Sequence, residues 1–239
     1  IPIFGPEKII PGKVGSTVTT AFPAAGAVSP VDGEARSATG GASFATKHDG
    51  AGGSADSTNA NTSACKIEST TTPNWWQFNR GIFGFDVSAI ADTDTIDSAT
   101  LSFDSNTSTD NFTQSIVIDR NPPADSAAVA AGDYDVAGWD GVEQTTARIT
   151  LANWSAAAGT YNDFTLSATG LGNISKTGLT WFGMRMSSDF DNTEPTYAAD
   201  SISAAGTKMA DTVGTTSDPK LAVTHSAAGG ANHWLLMGV

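Results

Sequence analysis

In Arg80-Gly-Ile-Phe-Gly-Phe-Asp-Val87 the apolar residues Phe83, Phe85 and Val87 recur at every second position. In Ile96-Asp-Ser-Ala-Thr-Leu-Ser-Phe103 the residues Ala99, Leu101 and Phe103 alternate with Ser98, Thr100 and Ser102. A period of two is that of a strand with one buried face. With the polar turn Asp92-Thr-Asp-Thr95 between them, the two runs predict neighbouring core strands joined by a short connection. The same alternation predicts a first strand through Val14, Val18 and Phe22, short strands near Ala42–Thr46 and Lys66–Ser69, and a strand from Phe112 to Ile118 that forms a hairpin with the one before it. Further strands are expected at Ala147–Leu151, Phe164–Ala168 and Lys220–Thr224. Leu179–Met186 is apolar on both parities, which predicts a central strand covered on both faces. Asp125–Ala131 reads as one or two helical turns and Gly170–Ser175 as another. No single solvated sheet satisfies the parities of Phe83, Phe85, Leu101 and Val223 together, so these four are expected in one core. The pattern predicts an all-β chain folded as an antiparallel jelly-roll β-sandwich.

The two ends depart from this alternation. Ile1-Pro-Ile-Phe-Gly-Pro-Glu-Lys-Ile-Ile-Pro11 carries three prolines among large apolar residues, which forbids a helix and predicts an extended arm. At the other end the spacer Ala227-Ala-Gly-Gly-Ala231 precedes an apolar tail. The organisation expected is an N-terminal arm with the first strand over 1–23, a sandwich over 24–225 and a glycine-spaced C-terminal tail over 226–239. Exposed contiguous apolar surface promotes association. Ile3, Phe4, Ile9 and Ile10 of the arm and Trp234, Leu235, Leu236 and Met237 of the tail are therefore expected to be covered, on this chain or in self-assembly with another. The chain begins at Ile1 rather than Met, and the expectation is that an upstream piece has been removed.

Composition narrows the function classes. Twelve Lys and Arg against twenty-five Asp and Glu leave a formal charge of −13, which opposes the counterion-release binding used by nucleic-acid proteins. Such an acidic, lysine-poor surface suits an extracellular surface or a virion. Cys65 is the only cysteine, so no disulfide can close within the chain, and its alternation with Ile67 marks a small buried residue. No apolar run is long enough to span a bilayer. The only histidines are His48, His225 and His233, and neither an H-E-x-x-H nor a G-x-S-x-G motif is present. The expectation is a protein that is not an enzyme.

Two binding chemistries are open. Asp189-Phe-Asp-Asn-Thr-Glu194 and Asp92-Thr-Asp-Thr-Ile-Asp97 each gather three acidic groups within six residues, as a hard cation requires, but neither has EF-hand spacing. One reading is an acidic solvated turn. The other is a calcium site, with Asp189, Asp191 and Glu194 as first candidates. Tryptophan rings stack on the apolar faces of sugars while rim carboxylates and amides bond the hydroxyls. Trp181 lies in the most apolar strand and belongs to the core. Trp75, Trp76, Trp139 and Trp154, in predicted connections, are the glycan-binding candidates, and of the adjacent pair Trp75-Trp76 one should point in and one out.

Arg80-Gly-Ile-Phe-Gly-Phe-Asp-Val-Ser-Ala-Ile90, Ile96-Asp-Ser-Ala-Thr-Leu101 and Asp218-Pro-Lys-Leu-Ala-Val-Thr224 together resemble the DNRLRE, or disaggregatase-related, β-sandwich domains over roughly residues 40–225. The tryptophan-threonine stretch usual in that family ahead of the final third is absent, although Trp139 and Trp154 lie near its place. The resemblance implies a jelly-roll sandwich and a role in carbohydrate binding or in surface and phage-like structural proteins, and it brings no catalytic residue. Two functions follow as expectations: a non-catalytic extracellular or virion structural subunit that assembles through its termini and binds glycans, or a carbohydrate-binding accessory domain of a polysaccharide-degrading enzyme.

Overall fold

The computed structural model describes residues 15–228. The arm and tail residues named above, Ile3 to Ile10 and Trp234 to Met237, lie outside them. The chain is mostly β. Its strands are β1 (Ser16–Ala21), β2 (Asp32–Ser37), β3 (Gly52–Asp56), β4 (Asn61–Ser69), β5 (Trp75–Asp86), β6 (Thr95–Asp104) and β7 (Ser108–Asp110). Then follow β8 (Ser115–Asp119), β9 (Ile149–Thr150), β10 (Tyr161–Thr165), β11 (Leu179–Met186), β12 (Ile202–Lys208) and β13 (Lys220–Ser226). Among the described residues three short α-helices, α1 (Phe44–Asp49), α2 (Ala168–Gly172) and α3 (Ser187–Phe190), complete the frame.

All pairings are antiparallel. Four strands form one sheet in the order β1-β13-β6-β10, and nine form a curled second sheet in the order β7-β12-β4-β5-β11-β8-β9, with β2 paired to β5 and β3 paired to β2. The core lies between the sheets. Phe83 and Phe85 of β5 meet Leu101 and Phe103 of β6 and Val223 of β13 there, all five without solvent exposure, and the Phe83 and Phe103 rings are 4.7 Å apart. The four residues expected in one core are thus in it. The partnership, however, differs from the sequence reading: β5 and β6 sit in different sheets and touch face to face. Alternation tells which side of a strand is buried and is silent on which strand completes its ladder. For the same reason β8 makes no hairpin with β6; it pairs with β11 and β9.

Strand β11 has the double cover its composition predicts. Phe182, Met184 and Met186 face the inter-sheet core, while Trp181 and Arg185 are buried on the outer side. That outer side is recessed at two glycines. A Cβ on Gly84 would come within 2.5 Å of the Trp181 ring, and one on Gly183 within 2.2 Å of the Trp139 ring, so each glycine is the floor on which an indole lies. Where a strand was expected near Ala42–Thr46 the chain forms α1, opened by the Ser43 hydroxyl accepting from the Thr46 amide at 3.2 Å. The expected helix at Asp125–Ala131 is instead an isolated bridge at Asp125 and Ala128 followed by a 3-10 turn over Ala131–Tyr134. Edge strand β1 leaves Val18 62% exposed, so the alternation expected there does not mark a buried face at that position, and Val14 lies outside the described residues. Among the described residues no helix is long and apolar enough to cross a membrane.

Candidate ligand-binding trough

On β5 the inner parity runs from Phe85 and Phe83 through Gly81 to Asn79 and Gln77. It is apolar opposite the four-stranded sheet and polar beyond it. Register sets Lys66 of β4 opposite Asn79 and Glu68 opposite Gln77, and it sets Arg36 and Glu34 of β2 opposite Asn79 and Gly81, so all six polar side chains share one face. Glu34, Arg36, Thr62, Lys66, Gln77 and Asn79 line a cleft of about 280 Å³ on that face.

The charges in this cleft are mutually paired. The Lys66 ammonium donates to Glu68 Oε2 and to Gln77 Oε1, both at 2.9 Å. The Arg36 guanidinium donates through Nε to Glu34 Oε1 at 2.7 Å, and Asn79 Nδ2 donates to Glu34 Oε2 at 2.9 Å and to the Ser63 carbonyl at 3.1 Å. Arg36 and Lys66 face Glu34 and Glu68, with Asp56 3.8 Å from Arg36, so the site is close to charge balance in a strongly acidic chain. Its hydrogen bonding is incomplete: Asn79 Oδ1 and Thr62 Oγ1 are buried without a partner among the described residues. Buried polar atoms are nearly always paired, and an exception marks a place where something else can bond.

Next to this cleft lies an exposed indole. The β4–β5 register shifts between Glu68 and Ser69, Glu68 facing Gln77 while Ser69 faces Trp75, so Trp76 is the extra residue of a β-bulge. Trp75 turns inward to full burial against Phe44, Phe78 and Phe112, its ring centroid 5.1–5.8 Å from theirs, and its Nε1 donates to Glu194 Oε1 at 2.7 Å. Trp76 is left 41% exposed in a depression of about 290 Å³ shared with Glu68, Thr71 and Asp200. Glu68, held by Lys66, joins that depression to the cleft. The result is one strip with a flat ring at one end and balanced donors and acceptors along it.

The other sequence candidates are placed elsewhere. Trp139 is buried over Gly183 with Nε1 donating to the Asp133 carbonyl at 3.1 Å, and Trp154 is buried with Nε1 donating to Ser105 Oγ at 2.7 Å. With Trp75 also inside, Trp76 alone of the four presents its ring to solvent. Asp189 is fully enclosed, accepting from Arg80 Nε and Nη2 at 2.9 and 2.7 Å, from His48 Nδ1 at 3.0 Å and from Arg185 Nε at 3.3 Å. Burial would raise its pKa, but the Arg80 and Arg185 guanidiniums overcome this and hold the carboxyl far below the usual carboxylate range. Asp191 makes a two-point pair with Arg148 at 2.7 and 2.8 Å, and Glu194 serves the Trp75 indole. Each of the three carboxylates has its own partner, and they are not brought together. Among the described residues no three His, Cys, Asp or Glu are placed to hold a metal ion.

Sequence reasoning missed the trough residues themselves. Their signal was present in Lys66-Ile-Glu68 and Gln77-Phe-Asn79, where polar side chains take the parity that is apolar farther along β5. Compared with known proteins, the chain is matched by no family model, and no curated protein matches it.

Proposed function

We propose that this chain is a non-catalytic structural subunit of an extracellular surface or a virion, and that it binds neutral glycans in the strip from Trp76 to Asn79. The observation that carries the reading is an exposed indole continuous with a charge-balanced polar cleft whose Asn79 and Thr62 oxygens lack partners. Such a ring offers stacking and dispersion to the apolar face of a sugar. The paired Lys66, Glu68, Arg36 and Glu34 groups, with Gln77 and Asn79, offer donors and acceptors to its hydroxyls without selecting a charged ligand. The resemblance to DNRLRE domains points the same way. Assembly through the termini belongs to the same proposal: apolar residues at both ends, and β1 at the edge of the four-stranded sheet, suit strand addition between copies.

Titration of the full chain with neutral soluble polysaccharides, followed by tryptophan fluorescence, tests the binding. The expected outcome is saturable, weak binding that Trp76→Ala weakens roughly tenfold with the melting temperature unchanged. Flat titrations across the polysaccharides, or full binding by the Trp76→Ala variant, would overturn it. For assembly, removing residues 1–11 and 232–239 should lower the mass measured in solution; equal monomer masses before and after refute that part.

A further inference from the structure

The buried guanidiniums of Arg80 and Arg185 face the carboxylates of Asp189 and Asp119. Lys47 is treated differently. Its side chain belongs to α1 and is 4% exposed, yet among the described residues no carboxylate lies within ion-pair distance of it, and its ammonium donates only to the Ala38 carbonyl. The position of α1 is fixed from below, where the Tyr134 hydroxyl donates to the Lys47 carbonyl at 2.5 Å. A buried cation without a counter-ion costs free energy unless something supplies the charge. Burial accordingly pushes the Lys47 ammonium below the usual lysine range.

Lys47 lines a cleft of about 420 Å³ together with Ser37, Ala38, Gly40, Gly41 and Thr46, and none of the lining residues is acidic. Among the described residues the amides of Thr39, Gly40 and Gly41 donate to nothing. Gly40 has φ +104 and open space around its α-carbon, so a ligand can approach the backbone there. Successive free amides beside a cation form an anion-binding concavity. We infer that this cleft is a binding site for a small carboxylate, held by the Lys47 ammonium and the amides of the 39–41 loop. One ammonium balances one negative charge, which favours a monoanionic carboxylate over a phosphate dianion. The inference stands apart from the Trp76 strip and does not depend on the glycan reading.

The test is amide-resolved NMR of the full chain, titrated with acetate against chloride at constant ionic strength and, in parallel, with galacturonate against galactose. Saturable shifts at Thr39, Gly40 and Gly41 are expected with acetate and galacturonate and not with galactose, and Lys47→Met should weaken them about tenfold or more. Absence of saturable shifts, equal shifts with galactose, or an unaltered Lys47→Met titration would each overturn the site. Should that variant fail to fold, the wild-type chain decides: bound carboxylate must raise the pKa read at Lys47 Cε, and an unchanged value refutes the proposal.

Discussion

Asn79 and Arg80 are adjacent in β5, and they point into two polar clusters on opposite faces of the same sheet. Within the Arg80 network every charge is enclosed and answered. Arg80 bonds Asp189, the His48 carbonyl and the Tyr134 carbonyl, with the Tyr134 ring 4.0 Å from its guanidinium carbon, and Arg185 closes the network onto Asp119. On Asn79's side the charges are paired but, Glu34 apart, partly open to solvent, and among the described residues Asn79 Oδ1 and Thr62 Oγ1 are left over. The difference separates a cluster that holds the molecule together from one that is free to bond a guest. A saturated buried network has no capacity left for a ligand, and breaking it strands a charge. An unsaturated, accessible one contributes little to stability and keeps its bonding capacity.

Breaking each cluster in turn gives a large contrast. Arg80→Met should cost about 3–5 kcal/mol, because Asp189 is left buried and under-compensated, whereas Lys66→Met should cost under about 1 kcal/mol. Denaturant titration of both variants decides; comparable losses would show that the trough is structural as well.

A third acidic group sharpens the comparison through pH. Asp32, 1% exposed at the start of β2, has its carboxyl pushed up to about 7 by burial and by the nearby Asp211 and Asp218, against an accepted bond from the Ala210 amide at 2.9 Å. A raised folded pKa means that the native state binds the proton more tightly. The stability from this group is therefore greatest below its unfolded pKa of 3.8, declines as pH rises towards about 7, and is flat above. Asp189, whose folded pKa is depressed, behaves oppositely: its contribution is present above the same unfolded value and is lost as pH falls through the acid range. Melting temperatures at pH 5 and pH 8 should differ in favour of pH 5, and Asp32→Asn should flatten that difference. A slope untouched by the substitution would place its origin elsewhere.

A comparable contrast separates the adjacent tryptophans. Trp75→Ala removes a packed ring and should destabilise by about 3–5 kcal/mol, while Trp76→Ala should change stability by less than about 0.5 kcal/mol. Equal losses would mean that Trp76 also belongs to the packed structure.

The sequence was legible where chemistry and parity agreed. The apolar alternation through Phe83, Phe85, Leu101 and Phe103 marked the buried faces correctly, and Leu179–Met186, with large apolar residues on both parities, marked the central strand. Pairing was not legible, because hydrogen bonds in a ladder are made by backbone common to all residues; β5 and β6 therefore read as neighbours when they are opposed. Strands β2 and β12 were missed because Asp32-Gly-Glu-Ala-Arg-Ser37 and Ile202-Ser-Ala-Ala-Gly-Thr-Lys208 carry little apolar contrast. Trp75-Trp76 announced an in-and-out pair, but which ring stays out was set by a bulge that the neighbouring strand imposes. The Asp189 segment was read for its charge alone; of the arginines that occupy it, Arg80 comes from β5, far away in the chain, while Arg185 lies four residues before it on β11.

The recessed glycines also decide how β11 lies against β5. Trp181 stands directly opposite Gly84, and Gly183 directly opposite Ile82. A slip of two residues would keep every side chain on its own face and satisfy alternation, yet it would drive the Trp181 indole against Ile82 and leave Gly84 bare. The alternative alignment is thus excluded by volume, and two residues without side chains give this sheet a single alignment.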